Sequence, residues 1–216
     1  MKNKIYLGLL FAVLLVLNVS AKEAFAQHLV QIVLDDTGAL QDSEDPQGTA
    51  TARESMLRYL SGLGDNYGRN TDVIIVSQFG AKNIWSGQAR EIKRSSRNQG
   101  LQKFLTSNWG GCSDLIKVTE ILEENIFLNQ ADSYEIVFFS SLLHTGCPGG
   151  ELSLELPEEF FSRLNHLHEN TGTSFKFYWV FDDSRSKIRS QIVSFIRENN
   201  LPPQIRAEAE TRSGNF

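Results

Sequence analysis

Asp35 and Asp36 end an apolar run, HLVQIVLDD, and Thr37 and Gly38 follow them. Carboxylates and a hydroxyl on a turning backbone are hard oxygen donors, suited to holding Mg2+ or to metal-assisted hydrolysis. Asp182 and Asp183 repeat the pattern after SFKFYWVF. No phosphate-binding glycine loop accompanies them. Gly146 to Gly150 lacks P-loop spacing and Pro148 has no N–H to donate, so with Ser184 the pair reads as a helix cap. Sulfur chemistry is confined to Cys112 and Cys147, with His144 close to the second. A Cys–His nucleophile and base is therefore conceivable, although nothing supplies an oxyanion hole. His166 and His168, two residues apart on a helix, face different directions and make no metal pair. His28 reads as incidental. No C-x-x-C is present.

The elements that must position these groups alternate along the chain. HLVQIVLDD, DVIIVSQFG (Asp72 to Gly80), YEIVFFSSLL (Tyr134 to Leu143) and SFKFYWVFDD (Ser174 to Asp183) read as buried strands, short and rich in aliphatic and aromatic residues. AKNIWSG, after Phe79 and Gly80, suits a short returning strand. Helical spacing marks Thr49 to Leu63, with Thr51 and Glu54 as a capping box and Gly64 as its stop. A second helix is expected over Ser113 to Phe127, capped by Ser113. A third runs from Pro157 to Glu169 with proline at its start, and a fourth from Ser184 to Asn199. Gly100 to Thr106 suits one or two helical turns, and Gln204 to Ala209 an edge strand. Strand–helix alternation predicts an α/β fold: a doubly wound, mostly parallel sheet with helices on both faces. Ligands in such sheets sit beyond the carboxyl ends of the strands, here the loops after Leu34, Phe79, Phe139 and Phe181.

The 216 residues divide into three parts. Lys2 and Lys4 precede an apolar run, Ile5 to Leu17, and small residues then allow cleavage after Ala21 or Ala26. That is the layout of a signal peptide over residues 1–26, its apolar core shorter than the roughly 20 residues of a spanning helix. One domain is expected over 27–200 and a tail over 201–216. An uncleaved anchor is the alternative. Export places the protein in a periplasm or outside the cell. The formal net charge of −5 includes Lys2 and Lys4, so the remainder is more acidic still. Such a domain is a poor match for nucleic acid or anionic membranes. The basic cluster REIKRSSR, Arg90 to Arg97, contains Glu91 and reads as a solvated connector. In an oxidising compartment an isolated cysteine pair points to a disulfide.

Three segments together carry a family resemblance. Val33 to Leu40, VLDDTGAL, resembles the first-strand motif of von Willebrand factor A (vWA) domains, apolar-apolar-Asp-x-Ser-Gly-Ser-Met. GGCSDL, Gly110 to Leu115, is similar to that family's Gly-Gly-Thr-Asp-Leu loop. VFFSSL, Val137 to Leu142, is similar to its strand ending in Thr/Ser-Asp-Gly. The resemblance covers His28 to Asn199 in element order and implies the vWA/Rossmann-like three-layer sandwich. It also implies a metal-ion-dependent adhesion site, where a cation such as Mg2+ takes carboxylate and hydroxyl oxygens and meets a partner's carboxylate. Asp35, Thr37 and Ser113 match ligand positions. Ala39 stands where the family has a second serine, and Ser141 where it has an aspartate, so the implied site is degenerate. Cys112 and Cys147 would lie on neighbouring loops at that end of the sheet. A disulfide between them would contribute roughly 3 to 4 kcal/mol on a chain-entropy argument.

The function expected from this is an exported protein-binding module, non-enzymatic, working in an envelope or secretion-type assembly. Its contact is expected through the loops at the carboxyl end of the sheet, with Phe79, Trp85 and Trp109 as anchors or as core-capping residues. The alternative is a hydrolase using the Cys/His pair or an acidic metal site built from Asp35, Asp36 and Asp182. A purely structural envelope component is a third reading.

Overall fold

The computed structural model describes residues 28–36, 46–95, 112–144, 153–178 and 187–199, the side chains of 46–55 and 93–95 aside. Its elements in chain order are β1 (His28–Leu34), α1 (Pro46–Asn66), β2 (Thr71–Ser77), β3 (Lys82–Gln88) and α2 (Ala89–Ser95). They continue with α3 (Leu115–Leu128), β4 (Tyr134–Phe139), α4 (Glu158–Thr171), β5 (Ser174–Tyr178) and α5 (Ile188–Glu198). The five strands form one sheet in the order β3-β2-β1-β4-β5. β1 is central and parallel to both neighbours, β4 and β5 are parallel, and β3 returns antiparallel to β2. This is the doubly wound α/β sandwich expected from the alternation of elements, including the returning strand.

Successive residues of a strand face opposite sides of a sheet, and both sides here are apolar. Leu29, Val33, Ile74, Val76, Ile136, Phe138, Phe175 and Phe177 face α3, α4 and α5. Val30, Ile32, Leu34, Val73, Ile75, Val137, Phe139 and Tyr178 face α1 and α2. Rings stack within each layer: Phe138 on Phe177 at 5.1 Å and Phe139 on Tyr178 at 4.7 Å. Each such fully buried side chain stabilises the fold by roughly 1.5 to 3 kcal/mol relative to exposure.

One position on β1 breaks the pattern. Gln31 points into the α3 side between Leu29 and Val33 and is buried. Its Nε2 donates to the Leu122 carbonyl (3.0 Å), and its Oε1 accepts from Asn125 Nδ2 (2.8 Å). Asn125 also exchanges hydrogen bonds with Asn83 of β3 at 2.8 and 3.0 Å. Helix α3 is thereby fixed to β1 and β3 by directional contacts, where apolar packing alone would tolerate rotation.

Several boundaries differ from the sequence reading. Helix α1 runs from Pro46 to Asn66, through Gly64. A Cβ on Gly64 would come within 3.2 Å of the Arg90 Cα and 3.4 Å of the Ala89 carbonyl. This glycine therefore admits the backbone of α2 and does not stop α1. Thr51 and Glu54 lie inside this helix, past its first turn. Arg90 belongs to helix α2, not to a connector. The N-cap of α3 is Asp114, whose carboxylate accepts from the Lys117 amide at 3.2 Å. Ser113 is buried and engaged elsewhere. β4 ends at Phe139, because the chain turns at Ser140. Residues 1–27, 100–106, Trp109, Asp182, Asp183 and the tail from 201 lie outside the described residues. Among the described residues, no helix is long and apolar enough to cross a membrane.

Candidate functional site

The carboxyl ends of β1, β2 and β4 converge on a buried polar cluster. Asp35 and Asp36 follow β1, Ser77 and Gln78 end β2, Ser140 and Ser141 follow β4, and Ser113 precedes α3; none is more than 4% exposed. Parallel strands of matched length bring these ends together: Leu34 sits between Ser77 and Phe139 in register. The backbone continues the alignment, Asp35 N donating to the Phe139 carbonyl (2.9 Å) and Gln78 N to the Leu34 carbonyl (2.9 Å).

The two carboxylates turn to opposite sides. Asp35 points toward β4, where its Oδ2 accepts from Ser141 N (3.0 Å) and Ser141 Oγ (2.7 Å). Ser140 Oγ also lies 3.2 Å from that oxygen, but its single proton has a shorter path to Gln78 Oε1 at 2.6 Å. Gln78 Nε2 in turn donates to Ser113 Oγ at 2.6 Å. One amide side chain therefore ties the β2 end to the β4 loop and to the entry of α3. The cluster holds two of the three ligand positions expected from sequence: Ser113, bonded to Gln78, and Asp35, bonded to Ser141. Thr37, the third, lies outside the described residues, as does Ala39.

Asp36 points toward β2. Its Oδ1 accepts from Phe79 N (2.7 Å) and its Oδ2 from Ser77 Oγ (2.5 Å). Burial raises its pKa above the ordinary carboxylate value. The Ser77 and Phe79 hydrogen bonds oppose that shift, and the neighbouring Asp35 charge adds to it. Ser77 Oγ also lies 2.6 Å from the Phe79 carbonyl, so a protonated Asp36 would find an acceptor in Ser77. In that neutral form the Asp36 O–H would donate to Ser77, and Ser77 would donate to the Phe79 carbonyl.

An asparagine side chain at this position would reproduce that neutral arrangement without the charge. A folded-state pKa above the unfolded one gives stability that is fully present below the unfolded pKa and is lost as pH rises through the folded pKa. Asp36→Asn is therefore expected to stabilise the protein by about 1 kcal/mol at pH 7. The gain should shrink as pH falls toward the ordinary aspartate range. Urea melts of both proteins across pH 3.5 to 7.5 measure it; a gain that grows toward acid would refute the assignment.

Two backbone features frame the cluster. Leu142 adopts φ 55 although it is not glycine, and its side chain is fully buried in the core. Its amide donates to Ser140 Oγ at 2.8 Å. At the β2–β3 turn, Gly80 (φ 80) and Ala81 (φ 43) are left-handed, and they leave the Phe79 ring 41% exposed above a backbone held by Asp36.

This donor set fits a divalent cation poorly. A cation needs oxygens that converge with free lone pairs. Here Asp35 Oδ2 faces N–H and O–H donors, and an amide N–H of Gln78 is aimed at Ser113. Among the described residues, no three His, Cys, Asp or Glu side chains gather as metal ligands. His144 Nδ1 lies 3.3 Å from Leu115 N, at the start of α3. A backbone N–H only donates, so Nδ1 accepts and the ring is committed to the helix end. His166 bonds Asn170 and His168 the Thr173 carbonyl, while His28 Nδ1 meets Ser133 Oγ. Trp85 is half-buried against the α1 side of the core. Cys112 is half-buried beside Ser113, and Cys147 lies outside the described residues.

Gln78 and Ser140 are absent from the sequence-based site. The signal was present: Ser77-Gln78 ends an apolar run at the same level as Asp35-Asp36. An uncharged amide simply draws less notice than a carboxylate.

No protein-family model matches the sequence, and no curated protein matches it. Among solved structures, the pilus adhesin SpaC of Lactobacillus rhamnosus GG in its open conformation aligns with TM-score 0.58 at 11% identity, over 89% of this chain and 30% of the adhesin. A second structure of that adhesin gives 0.57 at 12% identity, over 89% and 31%. The manganese-loaded TRAP protein of Plasmodium vivax gives 0.44 at 12% identity, over 81% and 73%. This chain therefore spans less than a third of the adhesin. The likeness to the adhesin is one of fold, and the fold is the vWA/Rossmann-like three-layer α/β sandwich.

Proposed function

We propose that this protein is an exported, vWA-like protein-binding module whose loop end is organised by hydrogen bonds in place of a cation. The observation that carries the reading is the Gln78 bridge. Oxygens that a cation would draw together are held by an amide and hydroxyls, so the described ends of β1, β2 and β4 are tied together without metal. Export is supported by the leader-like residues 1–26 and by an isolated cysteine pair, Cys112 and Cys147, of the kind that forms a disulfide in an oxidising compartment. The partner surface is the rim above the cluster, where Phe79 presents an exposed ring on a pinned backbone. An aromatic so placed loses little entropy on binding and is a typical interface anchor.

The test is a photo-crosslinking amino acid at position 79 in the producing cell, compared with one at exposed Glu158 of α4. A discrete adduct from position 79 that survives EDTA supports the reading. Adducts only from position 158, or adducts abolished by EDTA, would overturn it. The hydrolase alternative has no comparable support, since Asp35, Asp36 and His144 are each committed to protein donors.

A further inference from the structure

Among the described residues, strand β3 is an outer strand of the sheet, and its side chains are half-buried or exposed along its whole length. We infer that this edge pairs with the same edge of a second copy of the chain, two-fold and antiparallel, in the register Lys82↔Gly87, Asn83↔Ser86 and Ile84↔Trp85. The inference is independent of the loop-end reading above.

The register follows from which face each residue occupies. Pairing with β2 sets Asn83 opposite Val76 and Ser86 opposite Ile74, both on the α3 side. Trp85 lies opposite Ile75, Gly87 opposite Val73 and Lys82 opposite Ser77, all on the α1 side. Ile84 also packs on the α1 side, beside Trp85, because the register shifts between Ile75 and Val76. Directly opposed residues of an antiparallel pair share a face. In the inferred register every pair obeys this rule: two polar residues on the α3 side, an isoleucine with a tryptophan on the α1 side, and lysine with glycine. A slip of one residue opposes Lys82 to Gln88 and Asn83 to Gly87, each from different faces.

Charge selects the same arrangement. A Cβ on Gly87 would come within 3.0 Å of Glu91 Oε2 and of the Trp85 ring. A carboxylate and an indole therefore border the position that faces the exposed Lys82 of the second copy. The ammonium would meet both, as an ion pair and over an aromatic face, and the two-fold axis makes the contact twice. Asp72 stands close enough for the Glu91 charge to add to the effect of burial in raising its pKa. The local excess of negative charge is what Lys82 offsets. A lysine on an edge strand normally discourages pairing; here it discourages registers that leave it without Glu91. Beside the edge, Phe127 (83% exposed) and Leu128 (66% exposed) end α3 as unburied apolar side chains. Because the strands are antiparallel, the two loop ends of such a dimer point in opposite directions.

Sedimentation equilibrium of the purified chain tests the inference. The expected result is a reversible monomer–dimer equilibrium in the micromolar range. Lys82→Glu and Glu91→Lys should each weaken it by about tenfold or more, and the double reversal should restore it to within about threefold. Both side chains are exposed; Glu91→Lys also removes the hydrogen bond its carboxylate takes from Gln88 N (3.2 Å), but the double reversal carries the same loss, so recovered dimerisation reads the Lys82–Glu91 pairing and not helix stability. A monomer into the millimolar range, a dimer indifferent to the single reversals, or a double reversal as weak as the singles would each overturn it. So would a dimer lost on Phe79→Ser, which would place the contact at the loop end.

Discussion

Asp35→Ala is expected to lower the unfolding free energy by about 3 kcal/mol, equally in EDTA and in Mg2+. The side chain takes two full hydrogen bonds from Ser141 and lies within reach of a third from Ser140. Its removal strands a backbone N–H and a hydroxyl at a site with no exposure, and each such group costs about 1 to 3 kcal/mol. Water entering the space left by the carboxylate returns part of this, which is why the expected loss is below the full sum. For a domain of this size it corresponds to a fall in Tm of roughly 6 to 12 °C. Thermal melts of wild type and variant, each with and without Mg2+, decide the matter. A cation that raised the wild-type Tm but not that of the variant would show a working metal site, and the hydrogen-bonded replacement would be wrong.

Leu142 should show an inverted order of substitutions: Leu142→Gly less damaging than Leu142→Ala. The usual order runs the other way, since glycine gains more backbone entropy on unfolding. At φ 55, however, an L-residue carries roughly 1 to 2 kcal/mol of left-handed strain, which alanine retains and glycine sheds. Both variants lose the buried leucine side chain, and alanine at such a site costs about 3 kcal/mol. Glycine should cost about 2 kcal/mol, the strain relief exceeding the entropy penalty by a small margin. Equilibrium urea unfolding of the three proteins measures the order directly. Alanine proving the milder change would mean that the strain at Leu142 is not real. The leucine side chain is buried in the core while its amide bonds Ser140.

The residues of the sheet were legible because they repeat one physical demand. A strand covered on both faces must be apolar throughout, and four such runs stand out. Asp35 was legible for the same reason, as the first residue beyond such a run. What escaped were residues whose role depends on neighbours far along the chain. Gln31 looks like an ordinary polar residue in a strand until Asn125 and Leu122, on a helix about ninety residues later, supply its partners. Ser113 and Asp114 are equally good cap formers, and only the Gln78 amide, by drawing Ser113 inward, decides for Asp114. Gly64 carries the composition of a helix stop, yet the close passage of Arg90 is its reason for being there. Periodicity reports local demands and is silent on these long-range ones.

Asp35 and its partners Ser140 and Ser141 are 105 and 106 residues apart in sequence. Contacts that distant must overcome the entropy of closing a long loop, and they form only once β1 and β4 are already side by side. The cluster is therefore among the last parts of the molecule to assemble. A chain whose sheet is incomplete holds the residues of its loop end but not their arrangement, so the binding competence proposed for that end would arrive together with the finished fold and would vanish with the first step of its loss.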